Sequence, residues 1–330
     1  MVEKDFHHLM YFPERVTCWL QGKQPMPLTM EIGLTSQCNY RCRYCALDWV
    51  ARSHTMDTEV AKKVLKDAGG MGVRSVHFAG EGEPMLHPEF FSIVTHAKNA
   101  VDLEVGITTN GSVLNSLSDD HLWRLNQLAT WIRISMDAGT QEEYKSIHGV
   151  NRFSDVVCGI KRLAKHPILS KYRRAKITLQ AVSIGQELIP LIELGRKLQV
   201  DHVVIKPYSP HPHSPKDITP GPIPLSSADG FLIGRHRAEA ALTDERAYTN
   251  CWANAFFILV AASGDVLPCN LYYDRPEMAY GNVNTEPLYS IWGKSHPEEV
   301  TSACRPGCRL HEANTYLDRV RNPRLEDFFL

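Results

Sequence analysis

From Thr29 onward, short apolar runs of strand length alternate with longer segments whose apolar residues recur every three or four positions. The runs MEIGLTS (30–36), VRSVHFAG (73–80), DLEVGITTN (102–110), WIRISMD (131–137), AKITLQAVSIG (175–185) and DHVVIKPY (201–208) predict six β-strands. Helices are predicted between them over 57–69, 88–100, 118–128, 153–165 and 186–198, several with an N-cap residue and an acidic first turn, as in SLSDDHLWRL. Strand and helix in alternation is the pattern of βα units around a parallel sheet. Strand count alone leaves both a doubly wound sheet and a partial barrel open.

The pattern changes at both ends. Residues 1–28 show little periodicity and read as a lead segment. At Ser209–Leu225, SPHPHSPKDITPGPIPL marks the end of the alternating part, so 29–208 is expected to be one α/β unit and 209–250 a proline-rich linker and helix. Residues 251–330 form a smaller unit containing the apolar run Phe256–Ala262.

A chain of 330 residues, 43% hydrophobic, can bury a large core. Its net charge of −1 is spread without long runs of one sign, which argues against a nucleic-acid surface. The N-terminal MVEKDFHHLMYF lacks the apolar region of a signal peptide, and no run reaches the roughly 20 apolar residues of a membrane span. A cytoplasmic protein is expected. Seven of the nine cysteines fall into two groups, with Cys18 and Cys158 apart, which suits metal binding better than a disulfide framework.

The first group carries the chemistry. Thr35–Asp48, TSQCNYRCRYCALD, places Cys38, Cys42 and Cys45 on one short arc. Three thiolates there can hold three corners of an iron-sulfur cube and leave the fourth iron without a protein ligand. The zinc alternative needs a fourth ligand, for which His54 would have to fold back.

The Cys38-x3-Cys42-x2-Cys45 spacing, with Tyr44 before the last cysteine, resembles the signature loop of the radical S-adenosylmethionine (radical SAM) enzymes. The resemblance implies that the open iron chelates SAM and that an electron from the cluster splits it to a 5'-deoxyadenosyl radical, which takes hydrogen from a C–H bond. It also favours a partial (β/α)6 TIM-like barrel. GEGEPMLHP (Gly80–Pro88) is similar to the family's Gly-Gly-Glu-Pro motif for the SAM amino group, with Glu81, Gly82, Glu83 and Pro84 in register and Glu81 in place of a glycine. Thr109 and Asn110, then Ser135 and Asp137, stand at strand ends where the family contacts SAM, and His148 stands where relatives carry an arginine for the SAM carboxylate.

The second group is Cys251, Cys269, Cys304 and Cys308, with Gly264 forming a hairpin before Cys269, then GNV, then IW in a helix near Pro287–Trp292. On spacing alone these four thiols suit zinc or a cluster. Their order resembles the twitch/SPASM extension, a small hairpin-plus-helix domain, and implies one fully ligated auxiliary 4Fe-4S cluster beside the SAM-binding one.

In twitch dehydrogenases an alcohol carbon loses hydrogen and the auxiliary cluster accepts an electron. The resemblance therefore implies oxidation of a sugar, aminocyclitol or nucleotide-sugar, supplied with electrons by a flavodoxin or ferredoxin. Lys206, Tyr208, His211 and His213, at or past the sixth strand, are candidates to touch substrate or take the hydroxyl proton. A redox-neutral epimerase or decarboxylase remains an alternative, with Cys158 as a hydrogen donor or else a buried small hydrophobe of its helix. A maturase acting on a peptide is a further alternative, and a scaffold without turnover the last.

Overall fold

The computed structural model describes residues 8–165, 175–210, 217–235, 246, 248–295, 298–299, 304 and 308–323. Strands β1 (Thr29–Gly33), β2 (Ser75–Ala79), β3 (Glu104–Thr109), β4 (Trp131–Ser135), β5 (Lys176–Ser183) and β6 (His202–Pro207) lie side by side in that order, each parallel to the next. The six expected strands are all present.

Helices α1 (Pro13–Leu20), α2 (Thr58–Gly70), α3 (Phe90–Thr95), α4 (Asp119–Leu128), α5 (Gln141–His148), α6 (Phe153–Lys165) and α7 (Ile189–Leu198) accompany them. Local chemistry sets the boundaries. Asp57 caps α2 by accepting from the Glu59 and Val60 amides, and Ser118 caps α4. Gly149, at φ 71°, ends α5 in the left-handed conformation a glycine adopts without strain. Helix α5 lies in a segment where no helix was expected, and so does α1 in the lead segment.

Alternation along the strands sorts the two faces. Ile132 and Ile134 of β4, Ile177 and Leu179 of β5, and Met30 and Ile32 of β1 are fully buried and pack with α-helical residues such as Leu65, Leu125 and Ile160. The alternate residues Trp131, Arg133 and Ser135 are half-buried on the opposite, inner face.

The sheet continues beyond six strands at both edges. A seventh parallel strand, β7 (Leu232–Gly234), pairs with β6, inside the stretch expected to be linker. The helix expected within 209–250 falls mostly on residues outside those described. After β8 (Asn250–Cys251), the hairpin β9 (Phe257–Val260) and β10 (Asp265–Leu267) turns at Gly264, φ 93°, and β9 pairs in parallel with β1. Strand β11 (Gly281–Asn282) completes a ten-stranded sheet whose edges are β11 and β7, so the barrel is open. Helix α8 (Leu288–Trp292), strand β12 (Glu298–Glu299), which pairs with β8, and helix α9 (His311–Arg321) follow.

The smaller unit has its own apolar cluster, into which the lead segment is folded. Val16 and Trp19 of α1 pack with Phe256 and with Leu317 of α9, and the Trp19 ring lies 5.7 Å from that of Trp252. No helix among the described residues is long and apolar enough to cross a membrane.

Candidate active site

The chain leaves β1 into the cysteine loop, which is tied down on several sides. The Arg43 amide donates to the Ile147 carbonyl (2.8 Å), and the Tyr44 hydroxyl donates to Asp137 Oδ2 (2.6 Å). The Tyr144 hydroxyl donates to that of Tyr40 (2.9 Å), while Asn39 bridges Asn110 and Ser112 at 2.9 Å each. Burial and the neighbouring negative charges push the Cys42 and Cys45 thiols upward. Cys38, Cys42 and Cys45 would be the thiolate ligands of a bound iron-sulfur cluster, whose positive charge would reverse that balance.

The GEGEP turn is locked to this loop. A Cβ on Gly82 would lie 2.2 Å from the Gln37 carbonyl oxygen, so only glycine fits, and the Glu83 amide donates to that same carbonyl at 2.8 Å. The Glu83 side chain points inward and accepts from the Thr109 hydroxyl (2.7 Å), the Asn110 amide (2.6 Å) and the Met85 amide (3.2 Å). It is 2% exposed, and burial, opposed by those three hydrogen bonds, leaves its carboxyl raised to about 7. Pro84 opens a short 3-10 turn beside it. Glu81 turns the other way: its Oε1 accepts from the Ala262 amide (3.0 Å) of the β9–β10 turn, and its Oε2 is buried without a partner.

Two of the expected SAM contacts are held by neighbouring groups. Asp137 is 1% exposed; Oδ1 accepts from the Val182 amide (2.8 Å) and Oδ2 from Tyr44, so the carboxylate ties β4 to β5 and to the cysteine loop. His148 is 0% exposed, with Nδ1 3.1 Å from Cys42 Sγ and Nε2 3.0 Å from the Met136 carbonyl. Thr109 and Asn110 are likewise engaged with Glu83 and Asn39. Ser135 keeps a half-buried hydroxyl on the inner face.

The second cysteine group converges from three elements. Cys251 ends β8, Cys269 follows the hairpin, and Cys304 and Cys308 precede α9. The Asn314 side-chain amide donates to Cys251 Sγ and the Leu310 amide to Cys308 Sγ, each at 3.4 Å. Burial, with the charges of the other cysteines adding, raises Cys251 to about 11 and Cys269 to about 12. An all-sulfur donor set with N–H groups aimed at the sulfurs fits a cluster.

Residues 32–175 match the family model of the radical SAM superfamily, and residues 251–313 that of SPASM, an iron-sulfur cluster-binding domain. This chain carries a radical SAM domain and a SPASM domain. Its cofactors are SAM and iron-sulfur clusters, one at the radical SAM loop and one in the SPASM domain. The GTP 3',8-cyclase of Chlorobaculum tepidum is 32% identical over 187 residues, 55% of this chain and 54% of that protein. A probable GTP 3',8-cyclase of Saccharolobus solfataricus is 34% identical over 133 residues, 40% of this chain and 42% of that protein. The chain thus spans about half the length of the curated relatives it matches.

Among solved structures, Streptococcus suis SuiB bound to S-adenosylmethionine has a TM-score of 0.66 at 18% identity, covering 86% of this chain and 70% of that one. The protein anSMEcpe with bound AdoMet and Cp18Cys peptide has a TM-score of 0.58 at 17% identity, covering 81% and 80%. At such identities the likeness is one of fold.

Inside the radical SAM barrel, the inner face carries a polar chain that sequence reading did not find. Arg309, next to Cys308 of the SPASM domain, pairs with Glu31 on β1. Glu31 Oε2 lies 3.2 Å from His77 Nδ1 on β2, and His77 Nε2 lies 2.8 Å from the Thr108 hydroxyl on β3. The Tyr273 hydroxyl donates to Glu31 Oε1 at 3.3 Å. Burial alone would raise Glu31, but the Arg309 charge and His77 outweigh it and hold the carboxyl down at about 2. The available signal was alternation: Glu31 and His77 are polar positions in otherwise apolar strands, out of step with the buried isoleucine and phenylalanine beside them.

Of the expected catalytic residues, Lys206 lies on β6 and is half-buried, while Tyr208 just beyond it is 5% exposed and packs into the main core. His211 and His213 lie outside the described residues. Cys158 is exposed, not the buried small hydrophobe of one expectation, because α6 turns Val156, Ile160 and Leu163 into the core.

Proposed function

We propose that this protein oxidises a carbinol carbon of a carbohydrate-like substrate to a ketone, with the SPASM cluster accepting an electron. Loaded with SAM and its cluster, the radical SAM domain supplies a carbon radical that takes hydrogen from an unactivated C–H bond. Completing the oxidation then requires the substrate to lose one electron and its hydroxyl proton.

The observation that carries the reading is the hydrogen-bonded chain from beside Cys308 to the barrel's inner face, Arg309 to Glu31 to His77 to Thr108. It supports the reading because it offers a proton acceptor on the barrel's inner face and connects that acceptor to the SPASM domain. With Nδ1 donating to Glu31, His77 Nε2 is the acceptor, Thr108 passes the proton, and the ionised Glu31 stabilises the charge formed. Ser135 is suited to a hydroxyl of SAM or substrate. Lys206 stands at the sixth strand's end as a second basic group. The reductant is proposed to be a flavodoxin- or ferredoxin-like protein.

The test uses reconstituted protein and sugars deuterated at the carbinol carbon. Deuterium is expected in 5'-deoxyadenosine, with one ketone formed per deoxyadenosine. A product that retains the alcohol, inverted or rearranged, would overturn the oxidation. It would support the second reading, a redox-neutral radical reaction, which the name GTP 3',8-cyclase of the curated relatives favours.

A further inference from the structure

The inner face of β4 and β5 holds a positive charge without a partner. Arg133 lies there with its Nε fully buried and making no hydrogen bond, and no acid among the described residues pairs with its guanidinium. The guanidinium stacks on the Trp131 ring, 4.7 Å from its centroid. That ring is itself fixed. It lies across Gly106 of β3, where a Cβ would come within 2.1 Å of it, and 5.0 Å from the His77 ring. Strand register sets Arg133 beside Thr178 and Ser135 beside Gln180. The Thr178 and Gln180 side chains, 7% and 8% exposed, make no hydrogen bond with a described residue.

Burial first, then the charge of Arg235, an exposed residue directly after β7, lowers the Arg133 pKa. A buried guanidinium without an acidic partner, beside unfilled hydrogen-bonding groups, is unfavourable in a protein wall unless an anion joins it. Glu31, on the same face, is matched by Arg309 and His77.

We propose that the substrate carries an anionic group, phosphate or carboxylate, which Arg133 binds on its Trp131 platform with Thr178 and Gln180 as neighbouring donors. Resting on the oxidation reading above, this narrows the carbohydrate class to sugar phosphates, nucleotide-sugars or uronates. An aminocyclitol's ammonium group is repelled by the same guanidinium. The planar guanidinium suits bidentate binding, so lysine replaces it only in part.

The experiment is calorimetric titration of the anaerobically reconstituted full chain, with SAM present. The probes are inorganic phosphate, glucose 6-phosphate, UDP-glucose, glucuronate, glucose and glucosamine. At least one anionic probe is expected to bind the wild type and to weaken about 10- to 100-fold in Arg133→Gln. Arg133→Lys keeps part of that affinity, and Lys66→Gln, which removes an exposed charge on α2, keeps all of it. The phosphate and glucuronate arms tell the two anions apart. Unchanged anion binding in both Arg133 variants, binding by glucose or glucosamine equal to that of the anions, or no saturable binding by any anion overturns the proposal. A loss of SAM affinity in place of anion affinity also overturns it, by assigning Arg133 to the SAM carboxylate. An anion that binds through Arg133 but yields no ketone removes the oxidation reading and leaves this site standing.

Discussion

Glu81 and Glu83 are two residues apart and do opposite structural work. Glu83 faces inward and holds the ends of β3 against the cysteine loop, while Glu81 reaches out to the Ala262 amide of the SPASM hairpin. Both carboxyls are raised to about 7 from an ordinary 4.5: Glu83 by burial, Glu81 by burial and then the charges of Glu31 and Asp274. For an acid whose folded pKa lies above its unfolded one, the stabilising contribution is complete below about 4.5 and is lost as pH rises through about 7. The cofactor-free protein is therefore expected to weaken between pH 5 and pH 8, by on the order of 3 kcal/mol per group. Urea midpoints across that range check this. Glu81→Gln keeps the oxygen that meets Ala262 and is expected to remove part of the slope. A wild-type slope in that variant would mean Glu81 is already ionised at pH 5.

At the scale of elements, the seam between β1 and β9 joins the two domains into one sheet. Gly33 lies in that seam: a Cβ there would fall 2.2 Å from Glu81 Oε2 and 3.3 Å from the Ala262 amide nitrogen. Gly33→Ala must displace Glu81 from the Ala262 amide across the seam, so a loss of about 1–3 kcal/mol is expected, with less iron retained by the SPASM cysteines. Urea midpoint and iron per chain measure it, and wild-type values for both would refute the role of the close approach.

The six core strands and helices α2, α3, α4, α6 and α7 were legible in the sequence because apolar period decides them. What escaped had weak period or distant causes. Helix α5 has eight residues, most of them polar, and α1 is held by Trp252 and Phe256, more than 200 positions away. Strand β7 has only three residues and exists through pairing with β6. The cysteine groups were legible by spacing. The roles of Asp137 and His148 were not, since motif position does not reveal that buried neighbours already claim both ends of each side chain. The inner-face chain from Arg309 to Thr108 joins four distant segments and has no motif.

At the scale of the whole molecule, the SPASM domain is part of the barrel's wall: β9 extends the sheet at β1, and Arg309 reaches Glu31 inside it. The Arg309 side chain stays about one-third exposed, so its pair with Glu31 serves more to orient than to stabilise, and Glu31→Gln is expected to cost about 1–2 kcal/mol. The oxidation account requires two separate clusters in this one body, the first to act on SAM and the second to take an electron. The most direct test is iron and sulfide per chain, with 5'-deoxyadenosine formation under dithionite. The forms compared are the wild type, the Cys38→Ala/Cys42→Ala/Cys45→Ala variant and the Cys251→Ala/Cys269→Ala variant. About eight irons are expected in wild type and about four in each variant, with deoxyadenosine lost only when the first group is removed. About four irons in wild type, or zinc in the SPASM cysteines, would leave no electron acceptor and contradict the account.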